Sequence, residues 1–253
     1  MTKIILNGCN GKMGQVITRL AAENDNCEIV AGFDINDFIP NTYPVFGNPN
    51  DFDGEADVII DFSHPSALEG LLDYAKKRKL AIVVATTGLS AEQRELLNET
   101  AKEIPVFFSA NMSLGINLLI SLAKKAAVLL EGSFDIEIVE RHHNQKIDAP
   151  SGTALAIADA ISDSLSEPAE YVYDRHSVRR KRKKNEIGLH AVRGGTIVGD
   201  HTVIFAGNDE VIELKHSATS KEVFAVGSIK AAQFMVGKPA GMYDMNDLIS
   251  EIE

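Results

Sequence analysis

The chain has 253 residues, 45% of them hydrophobic and 24% charged, with a formal net charge of −11. That length accommodates one large domain or two ordinary ones, and so acidic a chain is not a general nucleic-acid binder, whose surface is basic. Cys9 and Cys27 are too few for a disulfide framework and are not spaced as metal ligands, so both read as free thiols in a reducing, cytoplasmic compartment.

The first segment, Lys3 to Asn7, reads as a buried strand and follows no signal-peptide pattern. A glycine-rich turn comes next, and then Met13, Val16, Ile17, Leu20 and Ala21 recur at helical spacing. Strand-like runs follow at Glu28 to Phe33, Val58 to Phe62, Leu80 to Val84 and Val106 to Phe108. Between them lie amphipathic stretches, one carrying Leu68, Leu71, Leu72 and Ala75 on a single face, another opening on a Ser90/Gln93 capping box. Strands alternating with helices predict a doubly wound parallel sheet. No apolar stretch approaches the roughly 18 residues of a membrane span.

The pattern changes near residue 113. A long apolar helix is predicted from about Leu114 to Leu130, followed by Phe134 to Val139, which alternates like a strand solvated on one face. Further strand-like runs, Thr196 to Val198, His201 to Phe205 and Val211 to Leu214, crowd together without long helices between them. That grouping predicts a second, α+β domain, and Val223 to Met235 returns to helical spacing.

Gly8, Gly11 and Gly14 sit between the first strand and the first helix, where a tight turn lets a pyrophosphate approach bare backbone. Asp34 ends the second strand about 20 residues later, where an acid reaches ribose hydroxyls. Ile35 follows it in place of the arginine that suits a 2′-phosphate, although Lys12 supplies a cation in the loop. The pair predicts a nicotinamide dinucleotide site, favouring NADH with NADPH also allowed.

The stretch Glu140 to Thr153 is the most informative. A strand delivers His142 and His143 to its end, Lys146 follows, and Ser151 is a natural N-cap for a helix starting at Gly152 and Thr153. First-turn amides, the Thr153 hydroxyl and a lysine ammonium together predict a carboxylate pocket, beside side chains suited to proton transfer near neutral pH. A zinc site would need a third ligand at matching spacing, and no metal is expected.

The run Glu140 to Ala154, with its His-His-x-x-Lys-x-Asp-Ala-Pro-Ser-Gly-Thr-Ala pattern, closely resembles the signature of the 4-hydroxy-tetrahydrodipicolinate reductases, also called dihydrodipicolinate reductases. Supporting matches are Gly8 to Gly14, Asp61-Phe62-Ser63, Thr86-Thr87-Gly88, Ser109 to Ser113, Arg193 to His201 and Gly241 to Met245. The resemblance implies NAD(P)H-dependent reduction, with loss of water, to tetrahydrodipicolinate on the route to diaminopimelate and lysine. It implies His142 as proton donor or acceptor, Lys146 as proton donor, and His143, Gly152 and Thr153 as substrate contacts. It sets the cofactor against Gly8, Cys9, Asn10, Gly11, Lys12, Met13, Asp34, Ala85, Thr86, Thr87, Ser109, Ala110, Asn111 and Met112. Ala85 stands where the family usually has glycine.

The implied fold is α/β: a Rossmann-like dinucleotide-binding domain of residues 1–113 and 222–253, and an α+β substrate-binding and oligomerisation domain of residues 114–221. The family plan adds a hinge near residues 112 and 222 and a homotetramer formed through the second domain. The substrate is a small dicarboxylate, with no nucleic-acid or membrane partner. Rival readings are another reductase on the same two-domain plan, a dinucleotide sensor without turnover, and a metal-dependent hydrolase. The basic run Arg179 to Lys184 reads either as a solvated mobile loop or as an electrostatic lure for a dicarboxylate.

Overall fold

In the computed structural model, which describes residues 1–36 and 38–251, the chain divides into two compact units. Unit 1 comprises residues from Met1–Leu114 and from Glu222 onwards; unit 2 is Gly115–Lys221.

Unit 1 runs β1 (Thr2–Asn7), α1 (Lys12–Ala22), β2 (Cys27–Phe33), β3 (Val45–Phe46), β4 (Val58–Asp61), α2 (Leu68–Arg78), β5 (Ala81–Val84), α3 (Ala91–Thr100) and β6 (Pro105–Phe108). The seven-stranded sheet has the order β12-β6-β5-β4-β1-β2-β3, where β12 is Gly241–Tyr243, and all its pairings are parallel. Successive strand residues face opposite sides, which explains the unbroken apolar runs. Ile4, Leu6, Val58, Ile60 and Val83 pack into one core, while Ile5, Ile59, Ile82 and Val84 pack into the other. Each such side chain contributes about 1.5–3 kcal/mol by leaving water. The Ser90/Gln93 capping box starts α3 as the sequence predicts. The late helix α6 (Glu222–Met235) joins the first core through Ala225, Ile229 and Ala232, together with α7 (Met245–Ser250).

Unit 2 contains α4 (Leu114–Leu130), β7 (Asp135–His142), α5 (Gly152–Ser162), β8 (Glu170–Val172), β9 (Glu186–Arg193), β10 (Gly199–Ala206) and β11 (Val211–Ala218). Its mixed sheet has the order β11-β10-β7-β9-β8, antiparallel between β7, β10 and β11 and parallel between β7, β9 and β8. Ile116, Leu119, Ala123 and Ala127 form the helical stripe by which α4 covers Ile136, Ile138, Val203 and Phe205.

Two expectations are corrected here. Thr196 to Val198 is no strand but part of the turn before β10, and the strand in this region is the preceding β9. The basic run is largely exposed, as a solvated loop would be, yet much of it is pinned by ion pairs rather than loose. Arg182 binds Asp135 at 2.9 Å, Glu137 at 3.1 Å and the Ile136 carbonyl at 3.0 Å. Arg180 pairs with Glu186 and Lys183 binds Glu170 at 2.8 Å. The Arg175 and Arg180 guanidiniums hold the Glu186 carboxyl down at about 2. Arg180, Arg182, Lys183 and Lys184 are thereby engaged by acids of unit 2's own sheet.

Candidate active site

In unit 1 the strand order reverses between β1 and β4, and open α/β sheets bind ligands outside the carboxyl ends of the strands at such a point. A cleft of about 530 Å³ lies there, lined by Gly8, Gly11, Asp34, Ile35, Ser63 and His64 among others. Gly8 has φ +79°, and a Cβ on it would lie 2.5 Å from the Phe62 carbonyl oxygen; one on Gly14 would lie 2.2 Å from the Gly8 carbonyl oxygen. Only glycine lets the turn close this tightly. The helix α1 starts immediately after Gly11, which gives no side-chain cap, so its first-turn amides open onto an anion slot.

Asp34 is fixed from both sides. The Asn10 amide donates to one carboxylate oxygen and the Asn36 amide to the other, each at 2.9 Å. Each oxygen keeps acceptor capacity for a ribose hydroxyl. Ile35 is 99% exposed beside it. Cys9 and Met112 bury their side chains in the core, leaving only backbone to offer a ligand. Ala85 to Thr87 follow β5, and Ser109 to Met112 follow the neighbouring β6. The Ser109 hydroxyl donates to the Asn111 carbonyl at 2.8 Å, fixing that turn. The glycine turn, uncapped helix and Asp34 fit a dinucleotide.

A buried carboxylate that the sequence reading did not assign joins these loops. Asp61, fully buried at the end of β4, accepts from Asn7 Nδ2 at 2.7 Å, the Ser63 hydroxyl at 2.6 Å, the Ser63 amide at 3.1 Å and the Thr86 hydroxyl at 2.7 Å.

In unit 2, β7 alternates so that Ile136, Ile138, Glu140 and His142 face inward. The spacing of two puts Glu140 and His142 on one face, and His142 Nδ1 donates to Glu140 at 2.6 Å. A carboxylate only accepts, so Nδ1 carries the proton and Nε2 is the exchangeable site. Glu140 also receives both terminal nitrogens of Arg193, at 2.7 and 2.8 Å, and the Ser151 amide at 3.0 Å. Burial pushes its pKa up, but Arg193, His142 and Ser151 together outweigh that and hold it below the ordinary carboxylate range.

Ser151 caps α5, its hydroxyl accepting from the Ala154 amide at 3.1 Å and lying 3.1 Å from His201 Nε2. The His142 and His201 rings meet edge to face at 5.3 Å. Burial, then the neighbouring His142 and His216, push the pKa of His201 down to about 4 against the pull of Glu140 and Asp200. His201 is thereby a neutral wall rather than an acid.

Lys146 stands on the loop after β7, its amide donating to the His143 carbonyl at 3.2 Å, with its ammonium 2.8 Å from Asp148. The hydrogen bond from Lys146, with help from the Asp148 and Gly152 amides, lowers the Asp148 pKa. A carboxylate of the chain itself therefore already sits between the lysine and the first amide of α5, with Thr153 next in the helix. The predicted residues thus form two groups: those for the cofactor lie in unit 1, while His142, His143, Lys146, Gly152 and Thr153 lie in unit 2. The sequence reading gave no role to Glu140, Arg193 or His201. For Glu140 the two-residue alternation with His142 was the available signal; for the others there was none local to the chain.

Comparison with known proteins follows the same division. The family models described as dihydrodipicolinate reductase, N-terminus and C-terminus, match residues 2–112 and 115–249. A 4-hydroxy-tetrahydrodipicolinate reductase of Caldanaerobacter subterraneus subsp. tengcongensis is 58% identical over 251 residues, covering 99% of each chain. One from Clostridium tetani is 53% identical over 250 residues, covering 99% of this chain and 98% of the relative. Among solved structures, a dipicolinate-bound dihydrodipicolinate reductase from Paenisporosarcina sp. TG-14 superposes with a TM-score of 0.84 at 25% identity, covering 97% of this chain and 99% of that one.

Proposed function

The chain belongs to the dihydrodipicolinate reductase family, and from that premise we infer its activity: NAD(P)H-dependent reduction of 4-hydroxy-tetrahydrodipicolinate to tetrahydrodipicolinate, in diaminopimelate and lysine biosynthesis. The observation that carries the reading to particular residues is the Glu140–His142 pair beside the carboxylate slot of Lys146, Asp148 and Gly152.

In this reading Gly8 to Met13, Asp34, Ala85 to Thr87 and Ser109 to Met112 hold the dinucleotide, with its phosphates at the start of α1 and a ribose on Asp34. When bound, its reduced nicotinamide supplies the hydride. Lys146 and the α5 terminus at Gly152 and Thr153 take a substrate carboxylate, displacing that of Asp148, and His143 adds a substrate contact. Glu140 holds Nδ1 of His142, so that Nε2 is the atom through which His142 gives or takes a proton. Lys146 is the second proton donor. Its ammonium and the helix amides favour the negative charge that they face.

For cofactor choice, exposed Ile35 beside Asp34 supports NADH as the preferred form with NADPH accepted, because a 2′-phosphate there meets a carboxylate and no guanidinium. The two buried free cysteines support a reducing, cytoplasmic setting. The unit 2 sheet, covered by α4 and α5 on one face, supports a homotetramer assembled through the other, which sedimentation would test. Among the described residues no helix is long and apolar enough to cross a membrane.

The test is turnover with enzymatically generated substrate, following reduced-cofactor absorbance. Lys146→Ala is expected to lose roughly 10²–10⁴-fold in kcat while its NADH dissociation constant stays unchanged. Normal turnover in that variant would remove Lys146 from the mechanism.

A further inference from the structure

Among the described residues Asp61 is the one fully buried acidic or basic side chain of unit 1, and nothing in the reading above uses it. It ends β4, on the far side of the strand reversal from β2 and Asp34. A dinucleotide binds across that reversal, one mononucleotide on each half of the sheet. With the adenosine ribose assigned to Asp34, the nicotinamide half falls to the ends of β4, β5 and β6, where Asp61, Thr86 and Ser109 lie.

The bonding of Asp61 is unusual in kind. All four of its donors are neutral: the Asn7 amide, the Ser63 amide and hydroxyl, and the Thr86 hydroxyl. No lysine, arginine or histidine pairs with it among the described residues. The Asn7 side-chain amide and the Ser63 backbone amide can only donate, and both reach Oδ1, so that oxygen stands as an acceptor. Thr86 is only 3% exposed, and its hydroxyl, besides donating to Asp61, lies 3.2 Å from the Ser63 amide that it accepts. The side chain of Thr86 is thus committed to this cluster. Neutral donors hold the charge in place without cancelling its field, which low-dielectric surroundings transmit further than water does.

We propose that Asp61 is a positioning residue of the cofactor site whose buried, unneutralised charge favours the oxidised nicotinamide over the reduced one. The chemistry gives the sign. Hydride carries two electrons and a proton's nucleus from the dihydronicotinamide to the acceptor carbon of the substrate, and the neutral ring becomes a cation. A fixed anion at that end of the cleft stabilises the cation as it develops, and so assists hydride departure. The same carboxylate ties the ends of β1, β4 and β5 together, which fixes the loop from Ala85 to Thr87.

This inference rests on the reading that unit 1 binds a nicotinamide dinucleotide, and a binding experiment on the whole protein without substrate separates the two. Dissociation constants for NADH and NAD+ are measured by titration for the wild type and for Asp61→Asn, which is nearly isosteric and offers its amide to the Thr86 oxygen. The ratio Kd(NAD+)/Kd(NADH) is expected to rise about tenfold, equivalent to roughly 1.4 kcal/mol. Thr86→Val removes one donor and leaves the carboxylate, so it shifts the ratio the opposite way; it also serves if Asp61→Asn does not fold. Equal weakening of both forms, or a ratio unchanged in both variants, would overturn the charge argument and leave cofactor binding intact. Failure of the wild type to bind either form would overturn the cofactor reading and this inference with it.

Discussion

Glu140→Gln tests the centre of unit 2 most directly. The wild-type carboxylate is fully buried and takes four donors: His142 Nδ1, the Ser151 amide and both terminal nitrogens of Arg193. Glutamine keeps one accepting oxygen and turns an NH2 towards donors, so Arg193 loses one acceptor in either orientation, together with the Ser151 amide or His142 Nδ1. Arg193 has a side chain only 19% exposed, and its guanidinium would lose the opposing charge. Breaking a buried pair in this way costs about 3–5 kcal/mol. Denaturation at pH 7 should show that loss. Because Glu140 is held below the ordinary carboxylate range, its stabilisation is present above the unfolded carboxyl pKa and disappears as pH falls through the folded one. The difference between wild type and variant should therefore shrink in acid.

Turnover adds the second readout. With glutamine in place of Glu140 no carboxylate charge there compensates an imidazolium at His142, and the Nδ1 proton is held only when the amide oxygen faces it, so kcat should fall at least about 10²-fold. The NADH dissociation constant should be unchanged, since the residues assigned to it lie in the other unit. Removing the pair whole, as Glu140→Leu with Arg193→Leu, should recover much of the stability and none of the activity. A Glu140→Gln protein within about 1 kcal/mol of wild type and with normal kcat would refute the reasoning.

Asp148→Asn removes the carboxylate that competes with substrate for Lys146 and the α5 amides; for an exposed pair worth about 0.2–1 kcal/mol, substrate KM should fall about 1.5- to 5-fold in steady-state assays, and a rise in KM would contradict the displacement. His201, pushed down to about 4, is neutral when folded but protonates when unfolded below about 6.5. Its stabilising effect is whole above that pH and is lost towards pH 4, so between pH 7 and 5 the wild type should lose roughly 2 kcal/mol that His201→Gln does not, read from denaturation at both pH values. Ile35→Arg places a guanidinium beside the ribose site and should raise kcat/KM with NADPH relative to NADH by about tenfold or more; an unchanged ratio would separate Ile35 from the 2′ position.

The sequence carried the doubly wound sheet clearly, because strands buried on both faces read as apolar runs and the intervening helices keep a 3.6-residue stripe. It misplaced one strand of unit 2. Thr196 to Val198 is a β-branched run, yet it adjoins the turn whose Gly194 amide donates to the His142 carbonyl and whose Gly195 carbonyl accepts the Asn144 amide. Tertiary pairing with the loop after β7 overrode local propensity. The strand actually present, Glu186–Arg193, contains Gly188, which weakens any strand pattern. A side chain there would displace the Glu137 carboxylate on the neighbouring β7, whose oxygen would lie 1.7 Å from the added Cβ, from its bonds to Arg175, Arg182 and His190. The acids that engage Arg182 stand more than forty residues away in sequence, so the run alone could not disclose them.

The buried carboxylates Asp61 and Glu140 explain why the rest of the site was harder to read. Asp61 and Glu140 lie at or near the carboxyl ends of central strands, and their donors come from neighbouring strand ends and loops that only the fold assembles. In sequence each is an acid near the end of an apolar segment, indistinguishable from a solvated turn. Folded, they differ in one respect. Glu140 has a bidentate arginine against it, so its field at a distance is largely cancelled and it acts through the proton it holds on His142. Asp61 has only neutral donors, so its field survives. The same residue chemistry thus yields an orienting group in unit 2 and a source of potential in unit 1, and the difference is whether a guanidinium is packed against it.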